Sequence, residues 1–170
     1  MAESAGDVSV QQLREIIDAM LPDEAIRQLV LKTFADSIEL ANAGNPRSWS
    51  LYYRGSVGLR LRVAYLKMIE IDPSSTLYLL VDDSDVSAEV QDVLARYPHP
   101  SAKPLTDTPN AVRLFIPADQ LLDVLPIVLP AYEKLILRVR HEATRYPQHH
   151  LPEVIRYLSE ETGRTLPDSP

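Results

Sequence analysis

The sequence contains no cysteine and only five glycines among its 170 residues. Without cysteine the chain can form no disulfide, no thiol nucleophile and no metal site that needs thiolate ligands. None of the glycines lies in a glycine-rich turn that opens a helix, so a phosphate-binding loop is excluded. A Gly-x-Ser-x-Gly elbow is also missing. These absences leave no motif that fixes a reaction, and we expect a non-enzymatic protein without a cofactor.

Basic residues are the minority among the charged ones, with 17 Lys and Arg against 24 Asp and Glu, which gives a net charge of −7. Total charge therefore does not favour indiscriminate binding to nucleic acid or to an anionic membrane. The most apolar stretch, residues 121–137, is too interrupted by charges and prolines to span a bilayer. The first residues lack the basic and apolar segments of a signal peptide. We therefore expect a soluble, cytoplasmic protein with no membrane partner.

The spacing of apolar residues predicts an α+β fold that occupies residues 1–163 as one domain. Residues 1–45 have the pattern of a helical hairpin. Ser9 and the glutamine three residues later resemble a capping box, and Asp23 can cap the second helix. Gly44 is expected to end that helix in the left-handed conformation.

Residues 46–117 change to an alternating pattern, which predicts an antiparallel sheet of about four to five strands with one inserted helix. Residues 118–163 return to helical spacing. Because proline removes a backbone donor, Pro126 and Pro130 are expected to split the first helix of this part. Residues 164–170 are expected to form a tail.

The most regular strands are 49–53 and 57–63. If Tyr52 lies opposite Arg60, the apolar members of both strands share one buried face: Trp49, Leu51, Tyr53, Leu59, Leu61 and Val63. Arg60 and Arg62 then lie on the opposite face, where we expect both to be exposed. A register shift of one residue would turn arginine into the core, so the pattern itself fixes which side chains share a face.

Residues 46–69 contain five basic residues and no acidic one, interleaved with aromatic residues. Arginine beside an aromatic ring can bind phosphate and stack on a base. Tyr52, Arg54, Arg60 and Arg62 are therefore candidate nucleic-acid-binding residues. The alternative is a solvated sheet face, whose arginines pair with the acidic helices and cover apolar surface with their stems.

A second basic set, formed by Lys134, Arg138, His141 and Arg145, recurs at spacings of four, three and four. This spacing predicts a single stripe on one helix. Lys134, Arg138 and Arg145 would widen the nucleic-acid-binding face if that helix packs beside the sheet. The alternative is again a solvated helix back.

Two clusters resemble metal ligands, yet neither predicts a metal site. Residues 82–85, with three aspartates and a serine, could hold Mg²⁺, but Ser84 or Asp85 is more simply the N-cap of the next helix. His149 and His150 are adjacent and lack the spacing of histidine ligands on a helix. We therefore expect no metal.

The residues NPRSWSL at 45–51, followed by LRLRV at 59–63, resemble the amino-terminal module of some bacterial HNH-type restriction-like endonucleases. In that family a helical pair precedes an Asn-Pro-x-x-Trp segment and a strand that reads Arg-Leu-x-Val. The resemblance covers about residues 13–81, and no HNH nuclease motif is present. It implies a recognition module that senses foreign or modified DNA in bacterial defence, with Arg60 and Arg62 on the strand that would face the ligand.

Three functions remain open at this point, and the one that we favour least is an enzyme that uses Asp82, Asp83 or the histidines. The first is a non-enzymatic nucleic-acid-binding or DNA-sensing module that works with a separate effector protein in bacterial antiviral defence. The second is a protein-interaction or oligomerisation domain whose acidic hairpin and tail contact that effector. The sequence does not decide the oligomeric state.

Overall fold

The chain packs helices against one face of a five-stranded sheet, as seen in a computed structural model that describes residues 8–101, 103 and 105–168. The helices are α1 (Val10–Met20), α2 (Glu24–Gly44), α3 (Ala88–Arg96), α4 (Leu121–Val139) and α5 (Pro152–Thr162). The strands are β1 (Trp49–Arg54), β2 (Gly58–Val63), β3 (Leu66–Ile71), β4 (Thr76–Asp82) and β5 (Ala111–Pro117). None of the helices in the described residues is both long enough and apolar enough to cross a membrane.

This architecture confirms the predicted α+β class, with an N-terminal helix pair, an antiparallel sheet and C-terminal helices. The first seven residues of the predicted hairpin and the last two of the predicted tail lie outside the described residues. Residues 164–168 pack back on α2, because Arg164 pairs with Asp36 at 2.6 Å and Leu166 is buried.

Both predicted helix starts are confirmed by their caps. At α1, the backbone N–H of Gln12 donates to Ser9 Oγ at 3.1 Å, and the N–H of Ser9 donates to Gln12 Oε1 at 2.8 Å. At α2, the N–H of Ile26 donates to Asp23 Oδ1 at 3.0 Å. Each bond satisfies a backbone donor that the first helical turn leaves without a partner.

The predicted left-handed cap at Gly44 is wrong. Gly44 is the last helical residue of α2, and Asn45 follows it in extended conformation. A Cβ atom at position 44 would collide with the side chain of Arg140, whose guanidinium donates to the carbonyl of Leu40 at 2.9 Å. Glycine therefore leaves room here for the side chain of Arg140 and is not used for its backbone freedom.

The sheet is a meander in the order β1-β2-β3-β4-β5, with every neighbouring pair antiparallel. Tyr52 lies opposite Arg60, and Trp49 lies opposite Val63, which confirms the predicted hairpin register. A bulge at Met68 adds one residue to β3, so that this side chain also turns into the core.

The predicted apolar face of the hairpin is buried against α2 and α5, and the middle of the sheet against α4. Trp49 is the largest fully enclosed side chain, and its indole N–H donates to Asn42 Oδ1 at 3.1 Å. The ring therefore fills the space between β1 and α2 while its polar atom remains satisfied.

The predicted split of the late helix at Pro126 and Pro130 is also wrong, because α4 runs without interruption from Leu121 to Val139. Both prolines lie on the exposed side of the helix. The opposite side buries nine residues, and each large apolar side chain stabilises the fold by roughly 1.5–3 kcal/mol. This burial outweighs the cost of about 3 kcal/mol for each proline in a helix.

Replacing Trp49 with Ala should lower the free energy of unfolding by about 3–5 kcal/mol, because the variant leaves a large cavity. Chemical denaturation measures this change. Leu137→Ala is the control, since that side chain is 51% exposed and its loss should change stability by less than about 0.5 kcal/mol. Equal losses in the two variants would contradict the burial of Trp49.

Candidate functional site

The face of the sheet that points away from the core carries a row of polar and aromatic side chains. Strand register brings five of them into line across the sheet: Tyr52, Arg60, Glu70, Tyr78 and Phe115. At about 4.8 Å between strands the row spans about 19 Å. We call this side the basic face, which comprises Tyr52, Arg54, Arg60, Arg62, Lys67, Glu70, Tyr78 and Arg113.

Glu70 holds two of the cations of the basic face. Arg60 Nε donates to Glu70 Oε2, and Lys67 Nζ lies 3.7 Å from Glu70 Oε1. Arg60 also donates to the hydroxyl of Tyr52 at 2.7 Å. The carboxylate thus fixes the direction of both cationic side chains.

The prediction that Arg60 is exposed is wrong, because its side chain is only 14% exposed and that of Glu70 only 10%. Arg62 is half-buried rather than exposed. The alternative prediction, in which these arginines pair with the acidic helices, also fails for Arg60, whose carboxylate partner lies on the next strand. Two loops lie against this side of the sheet and contact Arg62, Tyr52 and Tyr78.

The first loop, residues 144–151, is anchored along β1. The backbone N–H of Thr144 donates to the carbonyl of Arg47 at 2.8 Å, and that of Leu151 donates to the carbonyl of Leu51 at 2.9 Å. These bonds also cover the outer edge of β1, which would otherwise present unpaired backbone groups.

The anchored loop lays two rings on the basic face. The guanidinium of Arg62 lies 4.1 Å from the ring centre of Tyr146, which is stacked on His149 at 5.3 Å. His149 in turn lies 4.9 Å from the ring of Tyr52. Arg60 contacts the other side of this set, through the ring of Tyr52. The groups therefore form one stack in the order Arg62, Tyr146, His149, Tyr52 and Arg60.

Two nitrogen atoms in this stack are buried without a hydrogen-bond partner among the described residues: Arg62 Nε and His149 Nδ1. Burial lowers the pKa of His149, and the nearby charges of Arg62, Arg60 and Arg54 lower it further. The imidazole is therefore uncharged at neutral pH. A buried polar atom without a partner is costly, so a ligand that hydrogen-bonds to it would gain affinity.

The second loop begins with residues 97–99, which extend the other edge of the sheet. The N–H of His99 donates to the carbonyl of Arg113 at 3.2 Å, and the N–H of Phe115 donates to that of Tyr97 at 3.0 Å. Arg113 also donates to the carbonyl of Lys103. Sequence reasoning missed Lys67, Tyr78, His99 and Arg113 as site residues, although the outward position of Arg113 in its strand was a usable signal.

The predicted stripe from Lys134 to Arg145 does not exist, because α4 ends at Val139 and Arg145 lies beyond it. The guanidinium of Arg145 stacks over the ring of Tyr65 at 4.8 Å, in the turn between β2 and β3. Arg145 is exposed there and lies next to Tyr146, at the margin of the basic face. Among the three predicted helix cations, it alone comes close to that face.

Lys134 and Arg138 point instead to Asp82 at the end of β4. Arg138 Nη1 lies 2.5 Å from Asp82 Oδ2, and Lys134 Nζ lies 3.6 Å from Asp82 Oδ1. The carboxylate is 1% exposed and also accepts from the hydroxyl of Ser84 at 2.5 Å. Asp82 therefore holds both cations away from the sheet's outer side, and they do not widen the basic face.

The predicted N-cap of α3 at Ser84 or Asp85 is wrong, because Ser87 caps this helix and accepts from the N–H of Val90 at 3.2 Å. Ser84 is already engaged by Asp82. Asp82 has two cationic partners, which leaves it unsuited to Mg²⁺. Within the described ranges, no group of three or more His, Cys, Asp or Glu residues is arranged to hold a metal.

Replacing Glu70 with Gln should lower the free energy of unfolding by about 3–5 kcal/mol, the cost of removing one partner from a buried charge pair. Denaturation at neutral pH measures the loss. Asp92→Asn is the control, since it removes an exposed pair with Arg96 that is worth less than about 1 kcal/mol. If both variants lose the same stability, Glu70 does not hold buried cations.

Asp82→Asn should destabilise the protein in a pH-dependent way. Burial raises the pKa of Asp82, but the hydrogen bonds from Ser84 and Arg138 and the charge of Lys134 outweigh burial and hold the pKa below its usual value. The carboxylate therefore contributes stability above about pH 4, and this is lost as the pH falls through the folded-state pKa. The difference in stability between the parent and the variant should shrink as the pH falls below about 4, whereas a difference that does not change with pH would contradict the ion pairs.

No family model, no curated protein and no solved structure matches this chain. The resemblance of residues 13–81 to HNH-type recognition modules therefore stays a prediction. The asparagine of its Asn-Pro-x-x-Trp segment has a structural role in this fold. Asn45 Oδ1 accepts from the N–H of Arg47 at 3.0 Å, and Asn45 Nδ2 donates to the carbonyl of His141 at 3.1 Å.

Proposed function

We propose that the chain binds single-stranded nucleic acid through its basic face. The main support for this proposal is that the basic face holds more cations than its one carboxylate, Glu70, contacts. Glu70 contacts two cations of a group that holds five: Arg54, Arg60, Arg62, Lys67 and Arg113. Phosphate groups would supply the missing negative charge and accept hydrogen bonds from the arginines.

The aromatic groups beside these cations favour a nucleotide over a simple anion. Tyr146 and His149 present half-buried rings next to Arg62, whereas the ring of Tyr52 behind His149 is only 6% exposed. Bases stack on such rings with little regard to sequence, at about 1–3 kcal/mol for each base. A sheet that carries both aromatic rings and cations can therefore bind the backbone and the bases of one strand together.

The depth of the cations favours a single strand over a duplex. The side chain of Arg60 is 14% exposed and that of Lys67 is 27% exposed, between two loops that rise above the sheet. A duplex is a stiff rod whose phosphates stay on its outside, so few of them could reach these groups. A single strand is flexible enough to bend and turn its phosphates towards these recessed side chains.

The negative total charge does not oppose this proposal. Charges separated by more than about 8 Å are largely screened at physiological ionic strength. The acidic side chains of the helical hairpin pack on the core side of the sheet, and several are paired there, as Asp36 is with Lys32 and Arg164. The ligand would therefore meet the local positive field of the basic face.

DNA is the polymer to test first, because the resemblance to HNH-type recognition modules implies it. A part in bacterial antiviral defence, and an effector that would act on the bound DNA, rest on that resemblance alone. The chemistry of the basic face by itself does not separate DNA from RNA, so an RNA strand of equal length belongs in the same binding series.

A protein-interaction or oligomerisation role is the second candidate. The outer side of α4 exposes Leu122 and Leu137 at 47% and 51%, with Pro126 and Pro130 between them. An apolar stripe of this kind is typical of a surface that meets another protein. Sedimentation over a hundredfold range of concentration tests it, and this role requires a mass that rises with concentration and falls in Leu137→Asp.

Arg62→Gln should weaken binding of a fluorescent twelve-residue oligothymidylate, measured by anisotropy at 50 and 200 mM salt. Each phosphate contact on a single strand contributes a log–log salt slope of about −0.7, so two contacts weaken binding about sevenfold over this range. The variant should bind more weakly than the parent and lose about 0.7 of the slope. Arg62→Lys keeps the charge and should keep most of the slope.

Arg156→Gln is the matched control, because Arg156 is 71% exposed on α5 and its loss changes the net charge by the same amount. It should bind like the parent. The proposal fails if the parent binds no strand at 50 mM salt, if it prefers the matching duplex, or if Arg62→Gln and Arg156→Gln behave alike. Double replacement of Arg60 and Arg62 by Glu is unsuitable, since Glu at position 60 would face Glu70.

A further inference from the structure

A second group of cations lies on the basic face, at the far side from Tyr52. Lys67 Nζ lies 4.0 Å from the ring centre of Tyr78 on the neighbouring strand. The ring of His99 lies 6.0 Å from that of Tyr78 and 5.1 Å from that of Phe115. Together with Arg113 on β5, these residues surround Tyr78 with three basic groups, which we call the second cluster: Lys67, His99 and Arg113.

The charges of Lys67 and Arg113 both act on His99, which lies between them in the second cluster. Burial lowers the pKa of His99, and the charges of Lys67 and Arg113 lower it further. Burial also lowers the pKa of Lys67; Glu70 opposes this effect, whereas Arg60 and Arg62 add to it. Gathering the cations Lys67 and Arg113 around the half-buried His99 works against folding stability, which points to a function that needs these two cations.

Glu70 is the carboxylate nearest to the second cluster, and it also contacts Arg60 in the group formed by Arg60 and Arg62 on β2. Glu70 lies opposite Arg60 on β2 and opposite Tyr78 on β4, and it contacts both Arg60 and Lys67. Because β2 and β5 are three strand spacings apart, about 14 Å separates the backbones that carry Arg62 and Arg113. One carboxylate between two cationic groups leaves positive charge in excess on both sides.

We propose that the second cluster is a separate anion subsite, so that the ligand must carry at least two phosphates that reach both sides of Glu70. This inference rests on the proposed binding of single strands and narrows it. A mononucleotide can occupy only one subsite, whereas a strand of several nucleotides can occupy both. Joining two weak sites through one ligand raises affinity well above that of either site.

The test is a length series of 5′-phosphorylated oligothymidylates with one, two, four and eight residues, titrated by calorimetry at 50 mM salt. The parent should bind the longest strand more tightly than the shortest by a factor on the order of 100 or more. Arg113→Gln should lose most of this gain while it keeps the affinity for the mononucleotide. Arg62→Gln should weaken binding at every length.

Arg96→Gln is the matched control, because Arg96 is 52% exposed on α3, where it stacks on Tyr97 outside the basic face. The Arg96→Gln variant should show the same increase in affinity with strand length as the parent. Arg113→Lys should restore most of the gain, which separates the charge from the support that Arg113 gives to the loop at Lys103. If Arg113→Gln fails to fold by circular dichroism, Lys67→Gln takes its place with the same expected loss.

Two results would overturn the second subsite while the proposed function survives. One is a parent whose affinity does not increase beyond the mononucleotide. The other is a folded Arg113→Gln variant whose gain with length equals that of Arg96→Gln. A parent that binds no oligothymidylate of any length is a different result, because it removes the proposed function itself and the second subsite with it.

Discussion

Glu70 is the group on which the arrangement of the basic face depends. Its carboxylate contacts Arg60 on β2 and Lys67 on its own strand, and its side chain is only 10% exposed. Without it, two half-buried cations would repel each other with no negative charge between them, at a cost of several kcal/mol. The ion pair with Glu70 also orients Arg60 towards Tyr52, which in turn contacts His149. The position of the stacked rings therefore depends on this carboxylate.

The loops that follow the two edges of the sheet determine how much of the basic face is exposed. Residues 144–151 follow the free edge of β1, and residues 97–109 begin along the free edge of β5. Each loop satisfies backbone groups that an open edge would expose, and each then places aromatic or imidazole rings over the strands. The same two loops therefore protect the edges of the sheet and partly cover the cations of the basic face.

The cations of the chain divide into those that contact a buried carboxylate and those, such as Arg62, that contact none among the described residues. Asp82, buried at the end of β4, takes both Lys134 and Arg138. On the basic face, by contrast, Glu70 serves Arg60 and Lys67, while Arg62 Nε stays buried without a partner among the described residues. The Asp82 cluster stabilises the fold above about pH 4, and the basic face retains the capacity to attract an anion.

The sequence by itself determined the α+β class, the caps at Ser9 and Asp23, and the register of Tyr52 against Arg60, because these follow from spacing and from capping chemistry within a few residues. It also identified half of the candidate site. Tertiary structure alone decided that Lys134 pairs with Asp82 and that His149 stacks on Tyr52, since each contact joins residues dozens of positions apart. Residue spacing within one helix or strand predicts which side chains share a face. Which residue of another element a side chain contacts depends on how the elements pack together.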